Sequence, residues 1–138
     1  MAIAILDTSV YIDHWERGLY QDTLDNLRRA YLIRHSAVVL SELRRGARGR
    51  NAELLVAKLF ELATVRWEPS VADWWEAGRL VRSIGDKQDW DINKRRDFQN
   101  DALIALTARR YGATVVTANS SDFELLRSAL RIAVLPAS

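Results

Sequence analysis

Short apolar runs of β character alternate with longer stretches of helical periodicity along the whole chain, and few folds satisfy that pattern. The short runs are Ala2 to Leu6, Leu32 to His35, Thr64 to Trp67, Thr114 to Thr117 and Ile132 to Leu135. Between them, Leu24, Leu27 and Tyr31 recur at three- and four-residue steps, the stripe of an amphipathic helix. Val38 to Arg48, Ala52 to Ala63, Val71 to Ile84 and Phe98 to Tyr111 read as helices for the same reason. Gly112 supplies a stop after Tyr111, and Asp122 an N-cap for a last helix. This alternation predicts an α/β fold: a mainly parallel central sheet of about five short strands, joined by right-handed crossovers and flanked by helices on both faces. The 138 residues carry no internal repeat or linker-like tract, so residues 1–138 are expected to form a single domain.

The polar stretch from Gly85 to Lys94 has the least regular pattern and is expected to be a mobile loop. Asp89, Asp91 and Asn93 imitate the opening of a calcium-binding loop. Lys94 stands where that loop needs glycine and Asn100 where it needs glutamate, which argues against a calcium hand.

Composition removes several kinds of chemistry. Without cysteine the chain has no disulfide framework, thiol nucleophile or zinc-thiolate site. Its two histidines, His14 and His35, fall in no zinc-ligand or Ser-His-Asp spacing and read as structural or surface residues. No apolar run approaches the ~20 residues of a membrane span, and the first residues lack the basic segment of a signal peptide. A cytoplasmic protein without membrane contact is the expectation. Net charge is only +2, but the cations are mostly arginines in clusters: Arg28-Arg29, Arg44-Arg45 with Arg48 and Arg50, Arg95-Arg96 and Arg109-Arg110. Such clusters either grip phosphates through bidentate forks or form a solvated, salt-bridged surface.

Four acidic residues stand where apolar stretches meet helix signals. Asp7 closes the first β run, where an ionised side chain is tolerated at a strand end but not within a buried strand. Glu42 sits beside the apolar positions Val39, Leu40 and Leu43, Asp101 precedes Ala102-Leu103-Ile104-Ala105-Leu106, and Asp122 follows the fourth β run. Each has a plainer reading: helix cap for Asp7, Asp101 and Asp122, surface residue paired with Arg44 or Arg45 for Glu42. Asp97, one turn before Asp101, is an alternative ligand if that helix starts earlier. Together at the tips of one parallel sheet, where ligands bind in such folds, the four would repel one another unless a cation compensates. Hard oxygen donors favour Mg²⁺ or Mn²⁺, and the chemistry that follows is metal-assisted phosphodiester hydrolysis.

The segments Leu6 to Val10, Leu40 to Gly46, Asn100 to Ala105 and Thr117 to Phe123 resemble, in order and spacing, the motifs of PIN-domain nucleases, and the chain is similar to the VapC toxins of toxin-antitoxin pairs. The likeness spans nearly the whole chain; the stretch from Arg48 to Lys94, with Trp67, Trp74, Trp75 and Trp90, matches no motif. The resemblance implies an endoribonuclease in which Asp7, Glu42, Asp101 and Asp122 bind Mg²⁺ or Mn²⁺, with Thr117 and Asn119 supporting them. It also implies a homodimer and a small antitoxin that blocks the site. Arg44, Arg45 and Arg48, close after Glu42, are candidates to guide an RNA backbone. The adjacent Trp74 and Trp75 cannot both face inward equally, which makes one of them a candidate for a dimer or antitoxin interface. Two rival classes stay open: a non-catalytic RNA- or protein-binding module, and a phosphatase or phosphoacceptor domain. Asp7-Thr8-Ser9 lacks the second aspartate of the phosphatase pattern.

Overall fold

A computed structural model describes residues 1–137. Five strands form one parallel sheet: β1 (Ile3–Leu6), β2 (Leu32–Ser36), β3 (Arg66–Trp67), β4 (Thr114–Thr117) and β5 (Ala133–Pro136), in the order β3-β2-β1-β4-β5. Seven helices connect them: α1 (Thr8–Arg17), α2 (Gln21–Ala30), α3 (Ala37–Gly46), α4 (Arg50–Leu62), α5 (Val71–Gln88), α6 (Ile92–Tyr111) and α7 (Ser120–Leu130). The expected α/β architecture and all five β runs are found, with ends shifted by a residue or two.

The central strands read as continuous apolar runs because both faces of the sheet are covered. Successive side chains then enter opposite cores. Ile5 and Val115 join Phe98, Leu103 and Leu126 on one face, whereas Ala4, Leu6 and Val116 join Val10, Leu24 and Leu27 on the other. The edges are short or exposed: β3 has two residues, and β5 ends at Pro136, a residue tolerated only where no further strand pairs.

Strand order reverses between β1 and β4. Chain running one way builds β2 and β3 beyond β1, and chain running the other builds β5 beyond β4. Where crossovers diverge like this, a crevice opens outside the carboxyl ends of the two strands.

Two expectations about the second half are corrected. The stretch from Gly85 to Lys94 is not a loop: α5 continues to Gln88 and α6 begins at Ile92, leaving three residues between them. Its polar residues are helix-end signals. Asp89 takes the left-handed conformation that ends α5, and Asp91 caps α6 by accepting the Lys94 amide at 2.8 Å. Consequently Asp101 lies in the middle of α6 and caps nothing. Asp122 is not an N-cap either. Asn119 holds that position, and Asp122 sits in the first turn of α7.

Candidate active site at the carboxyl ends of β1 and β4

Asp7 leaves β1 and caps α1, its Oδ1 accepting the Thr8 amide at 2.8 Å. Its Oδ2 accepts two hydroxyls, from Ser9 at 2.8 Å and from Thr117, at the end of β4, at 3.0 Å. Only 2% of Asp7 is exposed, and burial pushes its carboxyl above the usual range while these hydrogen bonds oppose the shift. The two strand ends are tied further. The Ser9 hydroxyl accepts the Ala118 amide at 3.0 Å, and the Thr117 hydroxyl accepts the Asn119 amide at 2.8 Å.

Glu42 reaches the same place from α3. That helix starts where the Ser36 hydroxyl accepts the Val38 and Val39 amides, at 3.1 and 3.3 Å, and packs its apolar face through Val39 and Leu43. The half-buried Glu42 accepts the Thr8 hydroxyl on Oε1 at 2.8 Å. Burial and the neighbouring Asp7 raise its carboxyl, against hydrogen bonds from Thr8 and Asn100 and the charge of Arg45. The expected pairing with arginine is therefore an electrostatic influence from Arg45, while the direct contact is to Thr8.

Asp101 is carried in by α6, whose residues Ala102 to Ala108 are all buried. Its carboxyl is pushed up to about 8, first by burial and then by the charges of Asp7, Asp122 and Glu42; Lys94 pulls the other way. Four carboxylates from β1, α3, α6 and α7 thus share one electrostatic environment. Asp97, the alternative ligand one turn before Asp101 on the same helix, is exposed, whereas Asp101 is half-buried.

Asp122 is buried and its Oδ2 has two donors, Asn119 Nδ2 at 3.0 Å and Lys94 Nζ at 2.6 Å. The groups of Asp7, Glu42, Asp101 and Asp122 that could ligate an ion are carboxylate oxygens, a chemistry that fits a hard divalent ion. Among the described residues, no three His, Cys, Asp or Glu side chains are placed so as to hold a metal ion. The carboxylates instead engage the protein's own hydroxyls, amides and Lys94.

Thr8, Ser9, Asn100 and Lys94 carry no role that the sequence alone suggests. Thr8 and Ser9 directly follow Asp7, where hydroxyls reach back to a capping carboxylate. Lys94 lies two helical turns before Asp101 and shares its face, a spacing hidden when the helix is expected to start at Phe98.

Two clefts flank α3. One, of about 450 Å³, contains Glu42 and Arg48 with Ile12, Trp15 and Asn51. The other, of about 770 Å³, lies between α3 and α4 and is lined by Arg44, Leu40, Val56, Phe60, Glu53 and Arg66. Arg44 and Arg48 therefore serve different surfaces. His14 bonds the Leu19 carbonyl at 2.8 Å, in line with a structural role, and His35 lies on β2 outside the cluster. Trp67 stacks on Tyr111 and Trp90 meets Phe98 edge-on, but Trp74 and Trp75 are 51% and 86% exposed, so neither faces inward.

Acidic residues thus gather at the carboxyl ends of the two central strands, where strand order reverses and α/β sheets open a ligand-binding crevice. The PIN domain pattern matches residues 4–127, and the chain belongs to the PIN domain family. No curated protein matches. Among solved structures, the chain is similar to VapBC2 from Rickettsia felis bound to a DNA fragment from its promoter, at 24% identity over 97% of this chain and 98% of that one, TM-score 0.66. VapBC-1 from nontypeable Haemophilus influenzae gives 19% identity over 98% of each chain and TM-score 0.71. VapBC-5 from Mycobacterium tuberculosis, a member of the VapBC family of toxin-antitoxin systems, gives 21% over 99% of each chain and TM-score 0.62. At these identities the likeness is one of fold. No helix among the described residues is long and apolar enough to cross a membrane.

Proposed function

We propose that this chain, as one PIN domain, is a metal-dependent endoribonuclease and the toxin of a VapBC-type pair. The observation that carries the reading is the convergence of Asp7, Glu42, Asp101 and Asp122 on one crevice, where burial and their mutual repulsion raise Asp101 to about 8. A site that raises the energy of its own charged carboxylates invites a compensating cation. Mg²⁺ or Mn²⁺ fits the donor set and, when bound, would supply hydroxide from water and offset charge developing on the phosphate. Asp7, Glu42, Asp101 and Asp122 are the ligands in this reading, and one of them is available to accept a proton. Thr117 and Asn119 hold Asp7 and Asp122 in place through the 3.0 Å contacts described above. Arg45 and Arg48 lie on the Glu42 side and can guide an RNA backbone; Arg44, in the other cleft, is placed less directly.

The toxin assignment, with a small antitoxin that blocks the site, is supported by the fold likeness to VapBC complexes. A homodimer is proposed on a different ground, the exposed Trp74 and Trp75 on α5, which supply apolar surface for it. A cytoplasmic location accords with RNA as substrate. The reading is tested by incubating purified, antitoxin-free protein with pooled RNA in Mg²⁺, Mn²⁺ or EDTA. Discrete products that disappear in EDTA support it, and intact RNA in all three conditions refutes it.

A further inference from the structure

We propose that Lys94 is a tethered counter-cation of the acid cluster: its ammonium occupies the Asp122 corner, so a divalent ion binds against one built-in positive charge. This rests on the metal reading above. Lys94 opens α6, fixed there by its amide bond to Asp91, and two turns of the same helix bring it to the face that carries Asp101. Its Nζ lies 2.6 Å from Asp122 Oδ2, joining residues 28 apart in sequence, whereas three of the other ion pairs are local contacts one helical turn long. Trp90 backs the ammonium, with its ring centroid 5.0 Å away.

The two partners are unequal. The Asp122 side chain is 9% exposed and is also held by Asn119, while the Lys94 side chain is 38% exposed on a flexible stem. The lysine can therefore withdraw toward water while the acid stays. An exposed ion pair contributes little to stability, but here the acid belongs to a crowded set and the lysine charge also reaches Asp101. Lys94 thus offsets part of the repulsion that would otherwise tighten the grip on a divalent ion. The metal-free protein is stabilised, and ion affinity is reduced, by the same charge.

The test is Mn²⁺ binding by the full chain, followed by electron paramagnetic resonance of the free ion and by melting temperature with and without Mn²⁺. Lys94→Met keeps the apolar stem and removes the charge. It is expected to bind Mn²⁺ about tenfold more tightly, equivalent to about 1.4 kcal/mol, to melt lower without metal and to gain more from Mn²⁺ than the wild type. Lys94→Arg is expected to resemble the wild type. Equal or weaker Mn²⁺ binding by Lys94→Met overturns this inference alone, provided that the wild type binds Mn²⁺ and Asp101→Asn does not. No Mn²⁺ binding by wild type or Lys94→Met overturns the metal reading as well.

Discussion

The Thr117 hydroxyl donates to Asp7 Oδ2 over 3.0 Å, joining the carboxyl ends of the two central strands across 110 residues of sequence. Both groups are buried, at 0% and 2% exposure, and the same hydroxyl accepts the Asn119 amide at the turn into α7. One side chain therefore fixes both the first acid and the entry to the helix that carries the fourth. Thr117→Val keeps the shape and removes the donor and the acceptor. We expect it to destabilise the protein by about 1–3 kcal/mol, the usual result of leaving buried polar groups unpaired. Urea denaturation measures this, and a change below about 0.5 kcal/mol, as for an uninvolved surface site, would show that the contact is incidental.

Asp101 makes stability depend on pH. Its folded value of about 8 lies above the ordinary 3.8, so its contribution is fully favourable below about 3.8 and is lost as pH rises through about 8. Asp7 and Glu42, also raised, act in the same direction. Metal-free protein is therefore expected to lose stability steadily as pH rises across this window. Asp101→Asn should lessen that loss and melt higher than the wild type at the alkaline end without metal. Melting curves in EDTA across the window decide it; parallel pH profiles for the two proteins would show that Asp101 is not under strain.

The two clefts separate the arginines. Arg48→Ala, on the cleft that contains Glu42, should weaken RNA binding and flatten its logarithmic salt dependence by about one unit if one phosphate contact is lost. Arg44→Ala, on the α3–α4 cleft, should change the slope less. Filter binding at several salt concentrations, with a cleavage-deficient background, compares them; an unchanged slope for Arg48→Ala removes it from the RNA path.

Trp75 is 86% exposed on α5, beside Val71 at 88%. Trp75→Ala should leave the fold intact and weaken self-association, read by sedimentation velocity over a concentration series. Identical sedimentation of variant and wild type would place the dimer contact elsewhere, or exclude a dimer if both run as monomers.

Much of the fold was legible because buried parallel strands carry unbroken apolar runs, and Ile3 to Leu6 and Thr114 to Thr117 do so plainly. What escaped was continuity through polar sequence. The stretch from Gly85 to Lys94 looks irregular because Asp89 and Asp91 end one helix and begin the next within three residues. That hid the first turns of α6, and with them the approach of Lys94 to Asp122 and the mid-helix position of Asp101. The four acids could be picked out because each adjoins an apolar stretch. Their hydrogen bonds to Thr8, Ser9 and Asn119 depend on side-chain geometry that no spacing in the chain discloses.

Asp7, Glu42, Asp101 and Asp122 are expected to work as one catalytic site, and cleavage of a defined RNA by Asp7→Asn and Asp101→Asn in Mg²⁺ reads this out. Both variants keep shape and lose charge. We expect folded proteins, by circular dichroism and melting, in which cleavage is reduced by at least about a hundredfold, or roughly 2.7 kcal/mol of transition-state stabilisation. Wild-type cleavage rates in either folded variant would contradict the account and favour a binding module in which these carboxylates serve only as caps and contacts.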